Sequence, residues 1–127
     1  MVDKPMKILI VDDEEDILFE TKDIFEKKGF TAFAASESDT ALAVFKREKP
    51  DICFLDVHMP KSRLHGIGIL EEIRKLDKAS YCIMLSRVDD EDKIEAARRL
   101  GANRYVLKPI DFPELLRLVN EAPKVIR

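Results

Sequence analysis

The chain has 127 residues, 46% of them hydrophobic and 37% charged, with a formal net charge of −3. That is enough chain for one domain with an ordinary core, and the balance excludes a disordered polymer. The mild acidity argues against nucleic acid as a direct partner, and no apolar run approaches the roughly 20 residues that cross a bilayer, so no membrane contact is expected.

The opening MVDKPMKILIVDDEED meets acids too soon for a signal peptide, so a cytoplasmic protein is expected. Lys7-Ile8-Leu9-Ile10-Val11 reads as a first strand with almost no polar interruption, as in parallel sheets covered on both faces. Asp12, Asp13 and Glu14 follow it. A helix then runs to about Lys28, with Ile17, Leu18, Thr21, Ile24 and Phe25 at helical spacing and Gly29 as its stop. Phe30 to Ala34 is a second, weaker strand. Ser36 or Ser38 is the expected cap of a helix through Lys49 that carries Ala41, Leu42, Val44 and Phe45.

After Pro50, the run Ile52-Cys53-Phe54-Leu55 predicts a fully buried third strand that ends on Asp56. A loop from Val57 to about Leu64 leads to a helix from about Gly66 to Leu76, packing through Ile67, Leu70 and Ile73. Tyr81 to Leu85 is the fourth strand, ending on Ser86. Asp89 to Leu100 is a helix with Ile94, Ala97 and Leu100 inward. Arg104 to Leu107 is the fifth strand, ending on Lys108-Pro109, and Asp111 opens a last helix through about Asn120. Cys53 and Cys82 fall inside core strands and are expected as free buried thiols, not as a disulfide or part of a zinc motif.

Strand and helix alternate five times, so right-handed crossovers build a parallel sheet with helices on both faces. The carboxyl ends of all strands then share one edge, where ligands of such sheets bind. Asp12 and Asp13, Asp56, Ser86 and Lys108 are delivered there from four different strands. Like charges held together need a compensating cation. Oxygen-only ligands of this number suit Mg2+. A lysine and a hydroxyl opposite the metal can hold phosphoryl oxygens, and an aspartate beside a metal can itself attack phosphorus. On their own, Asp12 and Asp13 would serve equally well at the positive end of the first helix.

The pieces ILIVDDEED, ICFLDVHMP, CIMLS and GANRYVLKP stand in order over essentially the whole chain. Together they resemble the receiver domain of bacterial two-component response regulators, of the chemotaxis-regulator kind. The resemblance implies one receiver domain over 1–127, with a core of about 6–121. It implies a flavodoxin-like α/β fold, a five-stranded doubly wound parallel sheet of order 2-1-3-4-5 with five helices. It further implies that Asp56 takes a phosphoryl group from a histidine kinase or phosphotransfer protein. Asp12, Asp13 and Asp56 would hold Mg2+ with the backbone carbonyl of His58, Asp12 partly through water. Lys108 would pair with the phosphoryl group, Ser86 would hydrogen-bond it and move inward, and Tyr105 would be the coupled aromatic switch. The Lys108–Pro109 bond would be cis. The responding face would be the fourth helix, fifth strand and fifth helix, about Asp89 to Asn120, for a downstream protein or a fused output domain. The implied role is a phosphoacceptor signalling module and not an enzyme beyond its own phosphotransfer and dephosphorylation.

Two features depart from that family. Its glycine usually lies four residues after the Met-Pro proline; here Leu64 stands there and Gly66 follows, so the KSRLH loop is longer by two. The residue after the switch hydroxyl, usually Ala or Gly, is Arg87. Lys61, Arg63, Arg87 and Lys108 could make a basic rim, or their long side chains could point into water. Arg87 and the His58 imidazole are the candidate modulators of phosphoryl lifetime, whereas His65 is expected to have no special role. A pseudo-receiver or a metal-dependent phosphohydrolase are the competing readings; the chain lacks a P-loop, a G-x-G-x-x-G and a second nearby acid for a leaving group. Little follows the last helix, which leaves open a stand-alone regulator or the amino-terminal piece of a longer protein.

Overall fold

The structure, a computed structural model, describes residues 5–123. The two ends of the expected 1–127 domain, 1–4 and 124–127, lie outside the described residues. Ten elements alternate along the chain: β1 (Lys7–Val11), α1 (Glu15–Lys27), β2 (Thr31–Ala35), α2 (Ser38–Glu48), β3 (Ile52–Asp56), α3 (Gly66–Leu76), β4 (Tyr81–Ser86), α4 (Glu91–Arg99), β5 (Arg104–Leu107) and α5 (Phe112–Glu121). The strands form one sheet in the order β2-β1-β3-β4-β5. Every pairing is parallel. This is the doubly wound fold that the five strand–helix units imply.

Alternate residues of each strand face opposite layers. Leu9, Val11, Cys53, Leu55, Cys82 and Met84 pack under α2, α3 and α4. Ile8, Ile10, Phe54, Ile83 and Leu85 pack under α1 and α5. Phe25 of α1 anchors the second layer, lying 4.9 Å from the Phe112 ring and 6.0 Å from the Phe54 ring, centroid to centroid. A fully buried aromatic of this kind stabilises by about 1.5–3 kcal/mol through area burial. Cys53 and Cys82 are both buried, and neither forms a disulfide. They sit opposite each other in the β3–β4 register.

Several local expectations need correction. β2 begins at Thr31 and ends at Ala35, one residue later than its composition suggests. Neither serine caps α2: Glu37 does, accepting from the N–H groups of Asp39 (3.1 Å) and Thr40 (2.6 Å). Ser38 is instead the first helical residue, fully buried, and its hydroxyl accepts from Leu64 N–H. In α3 the fully buried positions are Ile69, Leu70 and Ile73, with Ile67 only partly covered. In α4 only Ala97 is fully buried. Gly29 adopts φ +97 just past α1, a conformation open to glycine at little cost. Asp90 and Asp111 cap α4 and α5 through their carboxylates. No helix among the described residues is long and apolar enough to cross a membrane.

Candidate functional site

The carboxyl edge of the sheet carries a compact charged site. Asp56 is the last residue of β3 and is only 6% exposed; Asp12, just past β1, is 7% exposed. Parallel pairing of β1 with β3 brings their ends together. Two backbone groups hold Asp12: its N–H donates to Ala35 O (3.2 Å), and its Oδ1 accepts from Glu14 N–H (2.9 Å). One carboxylate oxygen from each of Asp12, Asp13 and Asp56 lies within 4.8 Å of the other two. Lys108, just past β5, reaches in from the other side. Its Nζ is 3.0 Å from Asp12 Oδ2 and 3.4 Å from Asp56 Oδ2. Its own N–H donates to Ser86 O (2.7 Å), and the Lys108–Pro109 peptide is cis.

Charge decides what this site can do. Three carboxylates against one ammonium leave a formal −2 (−3 plus +1) in a small, mostly buried volume. Each like-charged pair near 4 Å costs about 4 kcal/mol at an effective dielectric of about 20. Burial pushes the Asp56 carboxyl up to about 6; Lys108 opposes this, the neighbouring Asp12 charge adds to it, and the His58 N–H opposes it. Burial pulls Lys108 down, but its bond to Asp12 and the charges of Asp12 and Asp56 outweigh that and hold it above its ordinary value. A hard divalent cation would relieve this crowding. All the side-chain donors are oxygens, which fits Mg2+, and Asp12, Asp13 and Asp56 are the residues able to hold it.

The other expected residues fall as follows. His58 donates its N–H to Asp56 Oδ1 (3.3 Å). Its imidazole is exposed and meets the His65 ring edge-on at 5.8 Å, a pairing with no sequence signal. Ser86 is at the site edge and buried, but its hydroxyl is turned to its own loop. It donates to Val88 O (3.0 Å) and accepts from Val88 N–H (3.1 Å). Tyr105 packs against the layer under α2, α3 and α4, and its hydroxyl is buried with no partner among the described residues.

The basic rim does not form. Arg63 turns to Asp39 of α2 (2.6 and 2.9 Å), and Arg87 forms an ion pair with Glu14. Lys61 lines a shallow polar hollow with Asp13, Glu15, Asp16, Ser36 and Glu37. Only Lys108 reaches the buried acids. Glu14 had no sequence signal as a partner, since 73 residues separate it from Arg87. Gly66 does the work that the displaced glycine suggested. A Cβ there would lie 2.2 Å from Asp56 O, so α3 can start against the end of β3 only with glycine.

The comparisons agree with this geometry. The family model for the response regulator receiver domain matches residues 8–120. Sporulation initiation phosphotransferase F of Bacillus subtilis (strain 168) is 33% identical over 109 residues, 86% of each chain. Regulatory protein AtoC of Escherichia coli (strain K12) is 34% identical over 116 residues; the match takes in 91% of this chain but 25% of that protein, so this chain spans only a quarter of that relative. Among solved structures, a CheY-like response regulator receiver domain protein from Methanospirillum hungatei JF-1 superposes with a TM-score of 0.86 at 29% identity, covering 92% of each chain.

Proposed function

We propose that this chain, which belongs to the response regulator receiver domain family of two-component signalling, works through phosphorylation of Asp56. A sensor histidine kinase or histidine phosphotransfer protein is the donor. A carboxylate oxygen of Asp56 forms a bond to phosphorus as the phosphorus–nitrogen bond of the donor phosphohistidine breaks, and the imidazole leaves with a proton. Asp13 and Asp56, the His58 backbone carbonyl, and Asp12 partly through water would hold Mg2+. Bound there, the ion would supply charge neutralisation at the transferring phosphoryl oxygens. The observation that carries this reading is the placement of Lys108 Nζ between Asp12 (3.0 Å) and Asp56 (3.4 Å), a cation set to pair with an oxygen added at Asp56.

The new group brings about −1.5 to −2 charges and several strong acceptors. The Ser86 hydroxyl must leave two bonds to Val88 to meet it. Each such bond contributes about 1 kcal/mol net, whereas a bond to an ionised phosphoryl oxygen is roughly twice as strong. The exchange is therefore nearly even on hydrogen bonds alone, which leaves Ser86 poised between two states for the added phosphoryl charge to bias. Tyr105 follows on β5, and the α4-β5-α5 face takes up its second state for a downstream protein or a fused output domain. The module acts in the cytoplasm as a single receiver domain over 1–127, a phosphoacceptor and not a metabolic enzyme.

The test is incubation with acetyl phosphate and Mg2+, read by intact mass, wild type against Asp56→Asn. One phosphoryl group on the wild type and none on the variant is expected. Labelling retained in the variant, or turnover of small phosphate esters without a labelled intermediate, would refute the reading.

A further inference from the structure

We infer that Arg87 is a second phosphoryl cation, parked on Glu14 until Asp56 is modified; this rests on the phosphoacceptor reading above. Arg87 directly follows Ser86, and its guanidinium pairs with the Glu14 carboxylate, just before α1. Glu14 is tied to the acid cluster through its N–H bond to Asp12 Oδ1 (2.9 Å). Arg87 also lines, together with Asp12 and Lys108, one cavity of about 630 Å³ between α1 and α5. Arg87 thus shares the lining of that cavity with two of the site's charged groups.

The partner choice follows from what is free. Lys108 already occupies the facing oxygens of Asp12 and Asp56. Arg87 pairs instead with Glu14, an exposed acid, 43% exposed against 67% for Arg87. An ion pair this exposed contributes little and exchanges readily. A phosphoryl group at Asp56 changes the balance, because it offers more charge and several acceptors, and a guanidinium fork matches phosphate oxygens better than a single carboxylate contact. When Ser86 leaves Val88, Arg87 is carried with it. The guanidinium then moves from Glu14 to the phosphoryl oxygens and narrows the approach of water. Water attack would otherwise form a new oxygen–phosphorus bond, break the bond to Asp56, and release orthophosphate with the carboxylate restored.

The sign of two variants tests this. Asp56 is labelled with acetyl phosphate at saturating Mg2+, the donor is removed, and loss of the phosphoryl group is followed by intact mass. Arg87→Ala is expected to decay about three- to ten-fold faster than wild type, the loss of one charge-assisted contact. Glu14→Gln frees the guanidinium and is expected to decay more slowly than wild type. The double variant should match Arg87→Ala. A merely structural pair predicts that both single variants move together, and that result, or unchanged decay in both, overturns the inference while leaving Asp56 phosphorylation intact. A wild type that takes no label overturns the function and this inference together.

Discussion

Asp56→Asn should make the metal-free protein more stable at neutral pH. The Asp56 carboxyl is raised from an ordinary 3.8 to about 6. A folded-state value above the unfolded one means that the folded state keeps the proton longer. The stabilisation from the neutral acid is therefore fully present below about 3.8 and lost as pH rises through about 6. At about 1.4 kcal/mol per tenfold, ionised Asp56 costs the folded state up to about 3 kcal/mol at pH 7.5. Asparagine keeps the shape and can keep the His58 N–H contact, which is 3.3 Å in the wild type. Its amide would face Lys108 less well than a carboxylate does, so about 1–3 kcal/mol is the expected gain, or roughly 4–12 °C in Tm for a domain of this size. Urea unfolding from pH 4 to pH 8 in EDTA measures it: the curves should meet near pH 4, diverge between about pH 4 and pH 6, and keep a constant gap above that. Added Mg2+ should narrow the gap by binding the folded wild type more tightly than the variant. A variant that is less stable at pH 7.5 without metal, or a gap that is the same at pH 4 and pH 7.5, would refute the reasoning that charge crowding strains this site.

Two further substitutions probe the frame around the site. Gly66→Ala places a Cβ 2.2 Å from Asp56 O and 2.7 Å from Asp56 C, both backbone atoms that cannot swing aside. It should cost at least about 2–3 kcal/mol in urea unfolding and slow labelling of Asp56; an unchanged midpoint would show that α3 starts elsewhere. Tyr105→Phe removes a buried hydroxyl that has no partner among the described residues, so stability should hold or rise by up to about 1–2 kcal/mol, and a loss above 1 kcal/mol would reveal a partner for it.

The parts legible in the sequence were those set by local patterns. Continuous apolar runs marked β1, β3 and β4, and one edge followed from crossover handedness, so Asp12, Asp13, Asp56 and Lys108 could be brought together before any coordinates. What escaped depended on partners far along the chain. Ser38 looked like a cap, but the Leu64 N–H, 26 residues on, takes its hydroxyl, and Glu37 caps instead. Arg63 and Arg87 looked like a rim, but acids 24 and 73 residues away draw them aside. Ser86 could be placed on the edge by register, yet its rotamer is set by Val88 in the following turn.

The longer β3–α3 loop shows how the site tolerates a departure from its family. Two extra residues between Pro60 and the glycine could have pushed α3 away from Asp56. They do not, because the turn is folded sideways onto α2. Ser62 Oγ accepts from Ser38 N–H (2.9 Å), Leu64 N–H donates to Ser38 Oγ (3.1 Å), and Arg63 grips Asp39. Val57 and Met59 stay buried at 2% and 0% exposure, so the chain leaves the site along a packed path before the extra residues begin. Leu64 then tucks against α3, where a Cβ on Gly68 would sit 3.3 Å from its own Cβ. Both glycines in the first turn of α3 are accounted for by close approach, Gly66 to Asp56 and Gly68 to Leu64. The placement of Asp56 therefore depends on Val57, Met59 and Gly66, and the length of the loop between them is free to vary as long as α2 offers Ser38 and Asp39 to hold it.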